Sequence, residues 1–337
     1  MKYLYAILIS VLLSIPAQAQ LSILFVDDSD DTFGNAELFA SALDSLGYEY
    51  EFFDAQAEGV SPTAETLSFF DLVIWTTSND GTELLLWNGN DEDNPAIAEY
   101  LDQGGNLWVT GLDFLYDRFF PLDTFAEGDF LYDYVGVTEY EGQTNVDDGG
   151  LGAPFVKPSE ESPIDSLKDL DWIFSTIYYA DAVKLKEGAK SVYLYGSSDT
   201  TYAYNDKVAA VFNEGENFSV LSYFFDMGVV SEFSKIKDNV QSVLTYYEGL
   251  SSSVVSLQKL ANNIKVFPNP VEGKLNISSG TSRTFENIEL FNSSGNSVLS
   301  QNNFSKSSLD MKNFPSGIYF LKIVSADGIE VKRVIKR

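Results

Sequence analysis

Near residue 250 the chain changes both its charge and its hydrophobic period, and two such stretches do not share one fold class. Residues 20–261 carry 10 Lys+Arg against 44 Asp+Glu, net −34, whereas residues 262–337 carry 10 against 6, net +4. The first stretch sets continuous apolar runs between amphipathic segments. The second alternates apolar and polar residues in short runs between turns. The 337 residues leave room for two domains. Ser251-Ser252-Ser253 and the small polar residues that follow read as a linker over 249–261.

In the acidic stretch, 20–248, the run Ile23-Leu24-Phe25-Val26 ends in Asp27-Asp28 and reads as a strand. Residues 35–46 follow with Leu38, Phe39, Ala42, Leu43 and Leu46 at helical spacing, and Gly47 stops them. Residues 48–53 and 72–76 read as further strands, 96–101 as a helix, and 107–110 as the fourth strand. The pattern becomes irregular over about 111–190, an expected insertion with some β structure. It returns with strands at 208–212 and 218–225, joined by a turn at Asn213–Asn217, and a last helix over 234–247. Apolar strands alternating with helices predict a three-layer α/β domain with a parallel sheet covered on both faces.

The segments Ile23–Asp28, Phe70–Trp75, Tyr100–Gly111 and Val220–Gly228 carry a resemblance to the class I glutamine amidotransferase-like fold, a flavodoxin-type layout. The variant it resembles occurs in accessory modules of secreted bacterial proteins. That family places a Cys nucleophile in the turn after the fourth strand, with His and Glu arriving later. Here the turn reads Thr110-Gly111-Leu112-Asp113, and the chain has neither Cys nor His. Thiol chemistry, Ser-His-Asp triads, disulfides and Cys/His zinc sites are therefore excluded.

After residue 262 the runs 275–277, 288–291, 297–299, 318–324 and 331–335 alternate between turns such as Ser294-Gly295-Asn296 and Pro315-Ser316-Gly317. Period 2 with regular turns predicts a small antiparallel sandwich. Val266-Phe267-Pro268-Asn269-Pro270, Ile288–Gly295, Leu309 through Phe314-Pro315-Ser316-Gly317-Ile318-Tyr319, and the basic end Lys332–Arg337 with Lys336 together resemble the type A C-terminal sorting domain of the type IX secretion system of Bacteroidota. The resemblance implies crossing of the outer membrane through the type IX translocon, removal of the tail by a surface sortase, and attachment to lipopolysaccharide or release. Pro268 and Pro270 fix φ at the entry, and Gly295 and Gly317 are expected to allow turns with positive φ. The basic end suits an acidic surface on the translocon, or plain solvation.

Residues 1–19 carry Lys2, an apolar run from Leu4 to Leu13, Pro16 and a small-x-small ending at Ala17–Ala19. They read as a secretory signal for the Sec translocon. No later run reaches the roughly 18 apolar residues of a spanning helix. The strong acidity argues against nucleic acid and anionic membrane surfaces as partners.

Ligands of open parallel sheets settle beyond the carboxyl ends of the strands. Asp27, Asp28, Asp30 and Asp31 follow strand one, Asp54 strand two, Asp80 strand three and Asp113 strand four. These are the candidate ligand residues, with Asp27 and Asp28 the candidate ligands for a Ca²⁺; the spacing fits no EF-hand loop. The pair Asp27-Asp28 also resembles that of phosphorelay receivers, but no acceptor Asp ends strand three. Asn88–Asn94 reads as a solvated loop, with a cation as the alternative. Trp75 and Trp108 are expected in the core and Trp87 exposed, while Tyr178-Tyr179 and Tyr202-Ala203-Tyr204 are candidates to line a binding surface. The functional expectation is a non-catalytic exported binding module. The alternative is a carboxylate-dependent hydrolase of glycan or peptide using Asp27, Asp28 and Asp113.

Overall fold

The computed structural model describes residues 21–29, 34–79, 81–89, 92–119, 123–254, 264–278, 285–292, 295–305, 308–325 and 328–337. The expected signal at 1–19, Asp30, Asp31, Asp80 and most of the expected linker lie outside the described residues.

The large domain is built on one mixed sheet. Its principal strands are β1 (Ile23–Asp27), β2 (Tyr50–Asp54), β3 (Leu72–Ser78), β4 (Asn106–Gly111), β5 (Val137–Gln143), β6 (Phe155–Pro158), β7 (Asp181–Leu185), β8 (Lys190–Gly196), β9 (Val208–Glu214) and β10 (Ser219–Tyr223). The helices that cover it are α1 (Asn35–Leu46), α2 (Pro95–Asp102) and α3 (Phe233–Val254). Strands run in the order β2-β1-β3-β4-β10 in parallel, as the alternation of strands and helices predicts. Beyond β10 the sheet turns antiparallel: β9 pairs β10, β8 pairs β9, β6 pairs β8, and β7 bridges β9 and β5.

The fully parallel sheet is therefore corrected to a mixed one, and the reason is chain length between strands. Only Gly215–Phe218 separate β9 from β10, closed by the Gly215 N–H donating to the Phe218 carbonyl at 2.9 Å. A parallel return needs a crossover of a dozen residues or more. So short a link can only reverse the chain.

Alternation along the strands sends side chains to two cores. Ile23, Phe25, Leu72 and Ile74 face α1 and α3, with Phe25 against Phe39 and Phe39 against Trp108 at ring separations of 5.4 and 5.2 Å. Leu24, Val26, Val73 and Trp75 face α2 and the 84–87 segment. Helix α1 buries Ala36, Phe39, Ala40, Ala42 and Leu43 and ends at Gly47 with φ 80°, a left-handed cap that glycine enters without steric cost. Leu38, expected on the buried face, is exposed. Helix α2 starts with Asn94 accepting from the Ala96 N–H at 3.0 Å and Pro95 in its first turn. Helix α3 continues to Val254, into the stretch read as linker.

The tail is two small sheets face to face. Lys265–Phe267, Lys274–Ser278 and Ser308–Asp310 form the first, and Ser297–Phe304, Phe285–Asn292, Gly317–Ser325 and Gly328–Lys336 the second. Val271, Leu275, Ile288, Leu290, Leu321, Ile323 and Val334 are at or below 1 % exposure between them. Asn269 clamps the last strand, donating to the Arg333 carbonyl at 2.8 Å and accepting from the Ile335 N–H at 2.7 Å. Tyr319 donates its hydroxyl to the Pro315 carbonyl at 2.9 Å. Gly295 and Gly317 both take positive φ, 72° and 156°. Lys336 is buried and donates to the Arg337 carbonyl.

Candidate functional site

The carboxylates at the strand ends serve different purposes. Asp28 is fully buried and accepts four hydrogen bonds: from Gln56 Nε2 (2.9 Å) and Leu85 N (3.0 Å) at one oxygen, from Trp75 Nε1 (2.9 Å) and Leu86 N (2.7 Å) at the other. It ties the 81–87 segment down over β1. Burial outweighs these donors and pushes its pKa up to about 6. Asp27 turns to Ser29, accepting from its N–H at 3.2 Å and its hydroxyl at 2.7 Å. Asp54 caps the short helix Ala55–Glu58 through the Ala57 N–H at 2.8 Å. The expected ring of acids is thus dispersed among separate local roles, and among the described residues no three carboxylates converge as a cation cage.

Of the Asn88–Asn94 stretch, whose residues 90 and 91 lie outside the described residues, Asn94 and Asp93 are likewise engaged. Asn94 holds Ser61 and the Leu85 carbonyl as well as its helix, and Asp93 pairs with Arg118 at 2.8 Å. Trp87, expected exposed, is 5 % exposed: Phe119 and Phe130 meet it edge-on, and the Arg118 guanidinium lies 4.3 Å from its ring centroid. Its polar sequence neighbours misled the expectation because the fold-over held by Asp28 brings it inward.

Asp113 has a distinct setting. Gln143 donates its amide to the Asp113 carboxylate and to Asp181 Oδ1, the latter at 3.4 Å. Asp181 is fully buried and accepts from Leu115 N at 3.1 Å. Burial first, and then the Asp113 charge, push Asp181 well above the usual carboxylate range. A half-buried acid thus stands in front of a buried one, joined through one amide.

Two loops cross the sheet end beside Asp113. Thr144 N donates to the Ala180 carbonyl (2.9 Å), Tyr179 N to Thr144 (3.1 Å), Ala153 N to Ile177 (3.0 Å), and Asp113 N to Tyr179 (3.0 Å). Asp148 organises the first loop internally, accepting from the N–H groups of Asn145, Gly150, Leu151 and Gly152 and from the Tyr202 hydroxyl, all at 2.8 to 3.1 Å. Three non-glycine residues here adopt left-handed backbone: Asp113 (φ 61°), Asn145 (φ 74°) and Tyr179 (φ 64°). Ser78 (φ 51°) joins them through its carbonyl, which accepts from Leu112 N at 2.7 Å. Each such residue costs on the order of 1 kcal/mol, tolerated only where surrounding bonds fix it.

These same loops expose Val146, Leu151, Ile173, Phe174, Tyr178 and Tyr179, each between 43 and 63 % exposed. They are six of the eleven exposed large hydrophobics among the described residues. Tyr178 lies over Gly152, where an added Cβ would stand 2.5 Å from its ring. Tyr202 and Tyr204, expected as possible surface residues, are core. Of the residues singled out in the sequence, Asp113, Tyr178 and Tyr179 come together here. Gln143, Asn145, Phe174 and Asp181, beside them, were not among the sequence candidates, although the Gly149-Gly150-Leu151-Gly152 run behind Asp148 marks a shaped loop.

Residues 265–337 match the family model of the secretion system C-terminal sorting domain. The chain is an exported protein, secreted or attached at the surface of a Gram-negative bacterium, and its tail engages the type IX machinery. No helix among the described residues is long and apolar enough to cross a membrane. Among curated proteins none matches. Among solved structures the chain is similar to a polyextremophilic β-galactosidase from the Antarctic haloarchaeon Halorubrum lacusprofundi (TM-score 0.41, 15 % identity, 93 % of this chain and 41 % of that one). It is similar also to the exo-β-1,4-mannosidase Op5Man5 from Opitutaceae bacterium strain TAV5 (TM-score 0.36, 11 % identity, 69 % and 36 %). A third likeness is to dimeric latent PorU from Porphyromonas gingivalis (TM-score 0.18, 14 % identity, 59 % and 17 %). The chain spans less than half the length of each, and likenesses this distant carry no argument about activity.

Proposed function

We propose that the large domain is a binding module, surface-displayed or secreted, whose recognition surface is the loop pair 144–153 and 172–180 beside Asp113. The observation that carries this reading is the coincidence of strained, heavily bonded backbone with exposed aromatic side chains. Backbone strain concentrates where a surface must be held in one shape, and exposed apolar patches mark contact sites. Tyr178, Tyr179 and Phe174 offer flat rings to a ligand, and Asp113 and Asn145 offer polar groups at their side. The amidotransferase-like reading of the parallel half is supported by its strand order and by the Thr110–Asp113 turn, where Asp113 stands near the family's nucleophile position. The signal at 1–19 and the division at 249–261 complete the reading.

The test is retention of the protein on immobilised neutral polysaccharides and peptides, comparing wild type with Tyr178→Ala plus Tyr179→Ala. A retained wild type and an unretained, folded double variant support the reading; equal retention of both removes it.

The carboxylate hydrolase is the second reading, favoured by one observation: Asp113 and Asp181 are held by one amide, and burial together with the Asp113 charge raises the proton affinity of Asp181. Turnover of a glycan or peptide that disappears in Asp113→Asn while binding persists would establish it.

A further inference from the structure

The four-stranded sheet of the sorting tail has two faces with different neighbours. Ile288, Leu290, Leu321 and Ile323 close the tail's own core. The opposite face of such a sheet normally meets water and is polar. Here it carries Phe291, Phe320, Ile318 and Val331, in a register that sets Phe291 across from Phe320, Phe320 across from Arg333, and Lys322 across from Val331.

An isolated sandwich would show this apolar stripe to solvent. Instead Phe291 and Phe320 are each 1 % exposed and pack in the same cluster as Leu67, Phe69 and Phe70 of the large domain. Phe69 meets Phe291 at a ring separation of 5.7 Å. The Lys322 ammonium stands 5.3 Å from the Phe69 ring centroid and 3.7 Å from a Glu65 oxygen. Arg333 reaches Glu51, on edge strand β2, at 3.2 Å. The Gly295 turn sits so close to Thr63 that an added Cβ would be 2.8 Å from the Thr63 Cβ. Beside these contacts a groove of about 800 Å³ is lined by Glu49, Glu51, Lys265, Lys332 and Ser22, just ahead of β1.

We propose that the sorting tail is docked on its own cargo and not merely tethered to it. The outer sheet face of the tail recognises an acidic patch with an aromatic centre, and that patch is Glu51, Glu65 and Phe69 of the large domain. Charge complementarity points the same way, since a domain of net −34 meets a tail of net +4 through the tail's Lys322 and Arg333. The acidic partner of the basic strand is thus supplied within the chain. Machinery that grips that strand must compete with the cargo for it.

The intact chain tests this with a zero-length carbodiimide, which joins a carboxylate to an amine only in direct contact. At low salt the docked arrangement yields a dominant Glu65–Lys322 link in the mapped peptides, at least tenfold above the links from tail lysines to other carboxylates of the large domain. It falls several-fold in 0.5 M salt and in Phe69→Ala. Glu65→Lys scatters the links, and Glu65→Lys with Lys322→Glu restores one dominant link between the same two positions. A tail that is only tethered couples its lysines broadly to the 44 acidic residues of residues 20–261. That broad pattern, or a Glu65–Lys322 link unmoved by salt and by Phe69→Ala, overturns the proposal.

Discussion

The two regions of this chain handle charge in opposite ways. In the large domain, where acids outnumber bases 44 to 10, the buried acids Asp28, Asp148, Asp181 and Asp226 are satisfied mainly by backbone and side-chain N–H or O–H donors. In the tail Lys336 is buried, but Lys322 and Arg333 are half-buried and pair outward, finding their carboxylates on the other region. A domain short of cations neutralises buried acids with dipoles, and those acids become organisers of loops. A cation-rich tail keeps its charge available for recognition.

The largest way to break that contrast is Asp28→Ala, which leaves the Gln56, Trp75, Leu85 and Leu86 donors without their acceptor. Unsatisfied buried donors cost about 1 to 3 kcal/mol each, so a loss of roughly 3 kcal/mol or more is expected. Urea unfolding followed by tryptophan fluorescence reads it cleanly, because all four tryptophans lie in the large domain. A change below about 1 kcal/mol would mean that Asp28 organises nothing.

Asp28 also has a pH signature. Its folded pKa of about 6 lies above the ordinary carboxylate value, so the native state holds the proton more tightly than the unfolded chain. The group's unfavourable contribution is absent below pH about 4 and grows until pH about 6, so stability falls with rising pH across that window. In Asp28→Asn that component of the wild-type pH profile disappears. Added Ca²⁺ is expected to leave the melting temperature unchanged, because the Asp28 oxygens are filled by N–H donors and no three carboxylates among the described residues converge; a Ca²⁺-specific rise of several degrees would overturn this.

Next in size is Gly111→Ala, at the end of β4. The added methyl would meet Thr77 Oγ1 and stand 3.1 Å from the Ser78 carbonyl, backbone that cannot give way cheaply. A loss of about 1 to 3 kcal/mol in the tryptophan-detected transition is expected. Asn269→Ala sharpens the comparison from the other side. It frees the last strand of the tail and should cost about 1 to 2 kcal/mol, visible as faster amide hydrogen exchange of Ile335. If the tryptophan transition shifts with it, the two regions unfold as one body.

Smallest of all is Tyr178→Ala with Tyr179→Ala, on side chains that are 43 and 45 % exposed. Stability should stay within about 0.5 kcal/mol per substitution while retention on the ligand is lost. A large loss of stability would make these rings structural.

The parallel half of the large domain was legible because each element carries a complete local signal. Residues 35–46 combine helical spacing with a terminating Gly47, and the observed helix has those bounds. Ile23–Val26 is a continuous apolar run, and the strand exceeds it by one residue. The stretch 111–190 gave little, since the pairing of β5 with β7 is irregular in register, with shifts at Ala182/Val183 and Lys184/Leu185 that interrupt the two-residue period. At the site, Asp113 and the tyrosine pair could be read from strand ends and composition. Asp28 looked the same as Asp113 in sequence. Only the return of Leu85 and Leu86 from 57 and 58 residues away distinguishes a clasp from a ligand edge.

The parallel direction of β1 to β4 gives the whole molecule a head and a foot. Ser22, just ahead of the first strand, and Val266, in the first strand of the tail, line the same groove at the foot. The strands then run to the head, where Asp113 and the aromatic loops stand. Whatever grips the protein by its tail therefore grips the foot, at the end of the parallel strands opposite Asp113 and the aromatic loops.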